Sequence, residues 1–488
     1  MYIWRNIKTI NMNLAGRKKE IKLLQGLLQK KSPEFVAVYG RRRVGKTYLI
    51  REVYKQQIVF ECSGLHQKSM GQQLENFWLT LQEYRNVSTS TLPPKTWLQA
   101  FSQLKMHLNT LEESKKVVFL DEIPWFETPQ SGFLAALSNF WNAYCSKRSD
   151  IILVICGSAA SWIIKKVIND RGGLHNRVTT HIRLMPFSLL ETKIYLEMQQ
   201  VQLTLKDLVQ LYMCIGGIPF YLSHVKAGKS IPQILDDLFF LPQAALEQEF
   251  QNLYAALFKN SDLHERVVAA LSSKNKGLSR KEIITKTKSG GGLTIALKEL
   301  IECSFVQETI PYYSNSKTIQ YRLVDEFTLF YFRFLAKETT KNSWLQISSK
   351  SKYKIWSGLA FENVCLKHIA QIKQKLGISG IITRDFPWSH KGNKLEKGAQ
   401  IDLVIDRSDN CVNLLEFKFY DTPFEIAKRD AAELNQKIQV FKDKTKTKKN
   451  VFLTFLSVYG VKKNKYYLSI VTNQLLIEDL FAEIWLLH

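Results

Sequence analysis

Short runs of apolar residues alternate with helical spacing through the first half of the chain. Residues 34–39 (EFVAVY) and 58–62 (IVFEC) are short, mostly apolar runs, and 117–120 (VVFL) and 151–156 (IILVIC) are β-branched and apolar throughout. Such runs suit strands buried on both faces, as in a parallel sheet covered by helices. The stretch from Lys46 onward has helical spacing, and residues 184–187 (LMPF) are taken as closing the core. From about 188 to 251 the pattern is helical, broken at Gly216-Gly217-Ile218-Pro219.

Residues 262–323 have another rhythm. Helical stretches at 265–271, 280–287 and 293–302 precede strand-like runs at 305–310 and 318–323, with Ser289-Gly290-Gly291-Gly292 before the third helix. Three short helices followed by a hairpin predict a winged helix-turn-helix. Residues 337–351 are mostly polar and basic and read as a linker. A helix around 358–373 follows, then strands at 401–405, 412–419 and 451–456.

A chain of 488 residues holds roughly three or four folding units. No apolar run approaches the ~20 residues of a membrane span, and the first thirteen residues have no apolar signal core. Seven scattered cysteines form no C-x-x-C pair, and nine dispersed histidines offer no zinc spacing. These features predict a cytoplasmic protein with reduced thiols and no membrane partner. The charge is less ordinary: 68 Lys and Arg against 44 Asp and Glu leave +24. That surplus attracts polyanions, and nucleic acid, DNA before RNA, is the expected partner. A generally basic proteome and a membrane-surface preference give the same sign.

Gly40-Arg-Arg-Arg-Val-Gly45-Lys46-Thr47 fits G-x-x-x-x-G-K-S/T between a predicted strand and a predicted helix. In that setting backbone N–H groups wrap phosphates at a helix N-terminus. Lys46 would reach the β- and γ-phosphates of ATP, and Thr47 would ligate Mg²⁺. The run 117–120 ends in Asp121 and Glu122. Asp121 would hold Mg²⁺ and Glu122 would orient the attacking water. Ser158 follows the next strand, where it either senses the γ-phosphate or closes a turn.

Together with Leu14-Ala15-Gly16-Arg17, Asp121-Glu122-Ile123-Pro124-Trp125, Cys156-Gly157-Ser158 and Gly216-Gly217-Ile218-Pro219, the first half resembles the archaeal-type ATPases of the AAA+/STAND group. The resemblance implies an ATPase core at 14–187 and a helical lid at 188–255. It assigns Gly16, Arg17 and Pro219 to nucleotide contact. Arg177 resembles the family arginine before the last core strand. It either serves a neighbouring subunit of a homo-oligomer as an arginine finger or makes a surface salt bridge.

After the linker, Glu362 lies on a predicted helix, Asp402 on an apolar strand, and Glu416 and Lys418 two apart on another. Period-two geometry puts Glu416 and Lys418 on one face. Polar side chains on such strands are costly to bury unless used or paired. Carboxylates could bind Mg²⁺ and polarise a phosphate while Lys418 positions or activates water. The pattern resembles the PD-(D/E)xK nuclease fold, with Ile401 where a proline often stands. It implies an α/β restriction-endonuclease-like domain at 352–488 behind a winged helix at 256–335. The alternatives are a surface pair between Glu416 and Lys418, or a fold kept without cleavage. Arg280, Lys281, Lys286 and Lys288 are candidate phosphate contacts. The lysine-rich runs 442–449 and 462–465 are expected near the proposed cutting site.

The expected protein is thus an α/β multidomain ATPase that uses ATP and Mg²⁺, binds nucleic acid and cuts it. Two other readings stay open: an NTP-gated switch whose nuclease-like domain only binds a partner, and a signalling ATPase.

Overall fold

The computed structural model describes residues 14–85, 92–258, 260–310, 319–336, 343–392 and 397–484. The N-terminal stretch 1–13, Thr318 and residues 337–342 of the expected linker lie outside them. The chain divides into two compact units. One holds the residues up to Pro186 with Glu302–Ser304; the other holds Phe187–Ile301 and the chain from Phe305 on.

The first unit is built on five parallel strands: β1 (Glu34–Tyr39), β2 (Ile58–Ser63), β3 (Lys116–Asp121), β4 (Ile151–Gly157) and β5 (Thr180–Arg183). Their order is β2-β3-β4-β1-β5. Every residue of β1, β3 and β4 is buried, as uninterrupted apolar runs require of strands covered on both faces. The last strand lies at Thr180–Arg183, just before the expected 184–187 run. Only Ile182 of its four residues is buried, and the alternation with exposed residues at a sheet edge hides it from a search for apolar runs. The chain leaves β1 toward β2 on one side, and β5 returns on the other. The C-terminal ends of β1, β3 and β4 therefore flank a topological switch point, where open α/β sheets place ligands.

The second unit begins with helices Leu189–Met198 and Leu205–Ile215. Gly216 has φ +63°, and a Cβ on Gly217 would run into the backbone of Phe187, so this break needs glycine. Helices Ser261–Ser272, Arg280–Thr287 and Leu293–Glu302 follow, with three antiparallel strands: β6 (Leu278–Ser279), β7 (Val306–Thr309) and β8 (Gln320–Leu323).

The described part of the segment read as a linker, residues 343–351, contributes to a core. Helix Trp344–Ser348 buries Trp344 completely against Phe330, Phe334 and Trp356. One tryptophan outweighs the polar residues around it, because an aromatic ring buries 150–250 Å².

The unit ends in a mixed sheet of β9 (Thr383–His390), β10 (Ala399–Arg407), β11 (Cys411–Lys418), β12 (Asn450–Ser457) and β13 (Val471–Leu476), ordered β13-β12-β11-β10-β9. β9, β10 and β11 are antiparallel, while β11, β12 and β13 are parallel. Helix Lys428–Thr445 covers one face. Among the described residues, no helix is long and apolar enough to cross a membrane.

Candidate functional site

The loop after β1 is shaped for a phosphate chain. Gly40 has φ +145°, and a Cβ there would strike the Leu184 carbonyl oxygen. Arg43 and Gly45 also take positive φ, at 71° and 87°. Gly45 opens helix Lys46–Val53, whose N-terminus has no side-chain cap and no acidic residue in its first turn. Its leading N–H groups and the helix dipole suit an anion. Lys46 is buried, and its ammonium donates to the Gly40 and Arg41 carbonyls at 3.1 and 3.0 Å, which holds it over the loop. Arg17, buried behind, donates to the Val44 carbonyl at 3.2 Å, and Gly16 precedes it with φ +63°.

The neighbouring strand ends complete the site. Thr47 Oγ1 donates to Asp121 Oδ2 at 2.7 Å. Two hard oxygens that close together fit Mg²⁺, which is held by few protein ligands plus phosphate and water. Asp121 Oδ1 accepts from the Glu122 amide at 2.9 Å. Glu122 itself has φ +45°, a costly backbone for a glutamate. Its Oε2 accepts from both the amide and the hydroxyl of Ser158, each at 3.0 Å. Ser158 is thus tied to the candidate water-orienting carboxylate.

Two glycines let these strand ends converge: Gly157, already quoted in the Cys156-Gly157-Ser158 motif, and Gly64, which sequence reasoning did not weigh. A Cβ on Gly64 would lie 2.8 Å from the Glu122 carbonyl, and one on Gly157 would lie 2.9 Å from Pro124. The signal was their place directly after β2 and at the end of β4. Arg177 stands apart: it is exposed and precedes β5, which starts beside Val36. That is the opposite end of the strands from the P-loop, which follows β1. Pro219 opens the short helix Pro219–Leu222 in the second unit.

A second constellation forms in the mixed sheet. Glu362, Asp402, Glu416 and Lys418 all line one cavity of about 630 Å³. Helix Ser351–Lys367 supplies Glu362, β10 supplies Asp402, and β11 supplies the other two. The β9–β10 register slips by one residue between Ile401 and Val404, a bulge over the stretch that holds Asp402 and Leu403. Bulges re-aim side chains beside functional sites. Asp402 Oδ2 accepts from the Phe417 amide at 2.9 Å. Glu416 is buried, and its Oε2 lies 3.5 Å from the Lys418 ammonium.

Burial raises the Asp402 carboxyl to about 6, with the Glu416 charge adding to it. Burial and then the Asp402 charge raise Glu362 to about 7, against the pull of Arg322 and Lys276. Burial pulls Lys418 down, but Glu416 and Asp402 outweigh it and the ammonium is held above its ordinary value. Like charges converging in a poorly solvated cleft are the usual mark of a site awaiting a cation or phosphate chemistry.

Lys437 was missed. Its ammonium donates to both Glu416 oxygens at 2.9 Å. It lies on helix Lys428–Thr445 and lines the cavity with Glu433 and Gln436. The readable signal is polar residues at i, i+3 and i+4 on one helix face. Two carboxylates fit an Mg²⁺ that keeps several waters, although among the described residues no cluster of three or more ligand-type side chains forms.

The basic features divide. The run 442–449 precedes β12, whose first residue pairs with Cys411, while Ser457 pairs with Lys418. The end of the run that leads into β12 therefore sits at the far end of β11 from Lys418, seven residues or roughly 23 Å away, while its start continues the helix that carries Lys437. Lys449 there is bound to Asp406 at 2.6 Å. The run 462–465 follows the near end of β12. Arg280, Lys281, Lys286 and Lys288 are all exposed, and Arg280 donates to Thr294 at 2.7 Å.

Residues 14–225 match the model of a family described as an ATPase domain predominantly from Archaea. An uncharacterized protein of Methanocaldococcus jannaschii is 24% identical over 434 residues, covering 87% of this chain and 91% of that protein. Among solved structures, the Walker-type ATPase of Pyrococcus abyssi superposes with a TM-score of 0.50 at 15% identity, over 66% of this chain and 97% of that one. The ORC2 protein of Aeropyrum pernix, in its ADPNP and ADP complexes, superposes with a TM-score of 0.44 at 14% identity, over 67% and 95%.

Proposed function

We propose that this chain, whose residues 14–225 form a Walker-type ATPase domain of the archaeal type, couples ATP hydrolysis to nucleic-acid binding and Mg²⁺-dependent phosphodiester cleavage. The observation that carries the hydrolytic part is the chain of contacts Thr47–Asp121–Glu122–Ser158, at 2.7 to 3.0 Å, beside a phosphate-shaped loop. Gly40, Gly45 and the first turn of helix Lys46–Val53 bind the phosphates through backbone N–H groups. Lys46 leaves the loop carbonyls for the β- and γ-phosphates. Thr47 and Asp121 hold Mg²⁺, which would neutralise developing charge on the phosphate oxygens. Glu122 orients the attacking water, and Ser158 keeps Glu122 in place until the γ-phosphate engages it. Gly16, Arg17 and Pro219 contact the nucleotide, and Arg177, exposed at the other end of the strands from its own P-loop, serves a neighbouring subunit.

The convergence of Asp402, Glu416, Lys418 and Glu362 on one cavity supports cleavage in the C-terminal domain. Asp402 and Glu416 hold Mg²⁺, Lys418 positions water, and Glu362, raised toward neutrality, exchanges a proton at its carboxyl. The net charge of +24 supports a nucleic-acid partner. One observation favours the reading without cleavage: Lys437 takes both Glu416 oxygens, as a retained structural ion pair would.

Plasmid nicking by the full chain with Mg²⁺ and ATP, beside an RNA substrate, decides between them. The expected result is cutting by the wild type, its loss in Lys418→Ala, and ATP turnover unchanged in that variant. Intact DNA and RNA under all conditions, with ATP turned over, would leave the partner-binding reading.

A further inference from the structure

Helix Ser351–Lys367 lends three residues to the carboxylate cavity at a spacing of four: Lys354, Gly358 and Glu362. Residues four apart share one helix face, so the three form a single row that ends at the carboxylate. Glycine is a poor choice inside a helix of 17 residues, because it weakens the helix relative to alanine. Nothing in the protein asks for it: a Cβ on Gly358 would meet no atom within 4 Å, and its φ is not positive. Gly358 is also exposed. A bare patch of helix backbone beside a cavity admits the close approach of a ligand. Two cations accompany it. Lys354 is exposed at the start of the row. Lys276 lines the same cavity from the turn between helix Ser261–Ser272 and β6, in the segment read as a winged helix. Partial burial holds its ammonium below the ordinary lysine value, and the charges of Glu362 and Asp402 act against that, so both carboxylates lie within its electrostatic reach. The cavity's other lysines, Lys418 and Lys437, are tied to Glu416. Among the described residues, the Lys276 and Lys354 ammonium groups make no ion pair and no hydrogen bond.

Spare cations beside an unobstructed stretch of helix that leads to carboxylates suit a phosphodiester backbone. We propose that Lys354, Gly358 and Lys276 form a track that carries the backbone of a nucleic-acid strand along helix Ser351–Lys367 to Asp402 and Glu416. Lys354 and Lys276 each contact a phosphate, and Gly358 lets the strand lie against the helix between Lys354 and Glu362. Eight residues of helix span about 12 Å, more than one phosphate occupies, so the ligand is a strand and not a free phosphate. Contacts of this kind position a strand without reading its sequence. Because Lys276 comes from the segment read as a winged helix, binding at the carboxylates draws on both parts of this unit. Only the fate of the phosphate at Asp402 and Glu416 rests on the cleavage reading.

The test is fluorescence-anisotropy binding of a labelled single-stranded DNA by the full chain, in EDTA at pH 6. Nothing is cut there, and the Glu362 carboxyl, at about 7, is mostly neutral. Affinity is read across roughly 50 to 200 mM salt. Lys276→Gln and Lys354→Gln should each weaken binding by about threefold to tenfold and lower the slope of log affinity against log salt by about 1. Both lysines are exposed, and unchanged thermal unfolding checks that the variants fold. Gly358→Leu should weaken binding by about tenfold or more. Gly358→Ala should also weaken it while its thermal midpoint stays at or above that of the wild type, since alanine strengthens a helix. Full binding with a lowered midpoint would mark the glycine as structural and overturn its place in the track. Lys448→Gln, at the far end of β11, should leave the slope unchanged; an equal fall there would overturn the track in favour of diffuse charge. Equal competition by thymidine monophosphate at matched phosphate concentration would overturn the strand, and equal competition by anionic lipid vesicles would overturn nucleic acid as the partner. Weakened binding in the Lys276, Lys354 and Gly358 variants, with no nicking by the wild type in Mg²⁺, sinks the cleavage reading alone. Nicking by the wild type, with binding unaltered in all of these variants, sinks the track alone.

Discussion

Replacing Glu362 by glutamine should stabilise the protein at pH 8 and leave it nearly unchanged at pH 4. The carboxyl stands at about 7 against an ordinary 4.5, first because it is buried and then because Asp402 lies beside it. Arg322 and Lys276 pull the other way, and Glu416 adds to the rise. A raised carboxylate favours the fold while it is protonated. Its contribution is full below about 4.5, falls as pH climbs, and is lost above about 7. A rise of that size is worth roughly 3 kcal/mol at about 1.4 kcal/mol per pH unit. Glu362 is partly exposed and titrates together with Asp402, so about 1–3 kcal/mol is the expected effect. Glutamine keeps the shape of the protonated acid and cannot ionise. In EDTA, the unfolding midpoint of Glu362→Gln should exceed the wild type by roughly 2–12 °C at pH 8, taking about 2–4 °C per kcal/mol. Mg²⁺ should narrow that gap by neutralising the wild-type cluster. An equal gain at both pH values would refute the electrostatic origin, as would a loss at pH 8.

Three further outcomes follow from single contacts. Glu122→Gln should slow ATP turnover by about 10²- to 10⁴-fold while nucleotide affinity, read by fluorescent-analogue titration, changes little; near-normal turnover would remove Glu122 from the chemistry. Lys437→Met should destabilise the metal-free chain by about 1–3 kcal/mol, because the buried Glu416 loses both 2.9 Å bonds, and Mg²⁺ should restore the loss; denaturant unfolding with and without the ion tests it, and a loss that Mg²⁺ cannot recover would mark the pair as structural. Trp344→Ala should cost about 3–5 kcal/mol in the same measurement, whereas a segment that merely links domains would tolerate it.

What could be read from the sequence follows from how locally each feature is determined. β1, β3 and β4 are buried on both faces, so their own residues spell them out, and the P-loop and the Asp121-Glu122 pair follow at strand ends where spacing alone assigns roles. β5 and β9 were illegible because each alternates or exposes residues at a sheet edge. Helix Trp344–Ser348 was hidden by its polar neighbours, although one buried tryptophan fixes it. In the C-terminal site, period-two spacing placed Glu416 and Lys418 on one face, but it could not supply the bulge at Asp402. Nor could it show that Lys437, about twenty residues on, returns to Glu416 on a helix.

The bulge and the lysine matter together, because they make this site depend on tertiary structure in a way the P-loop does not. The P-loop carries its donors on one continuous turn and needs only β3 and β4 beside it. At the C-terminal site, a carboxylate pair set by a register slip is neutralised by a lysine from a separate helix. Any cation that binds Glu416 must therefore compete with Lys437 for the same two oxygens. Any affinity of the site for Mg²⁺ would then be set by how firmly helix Lys428–Thr445 is held against β11, a quantity that a motif of three residues cannot encode.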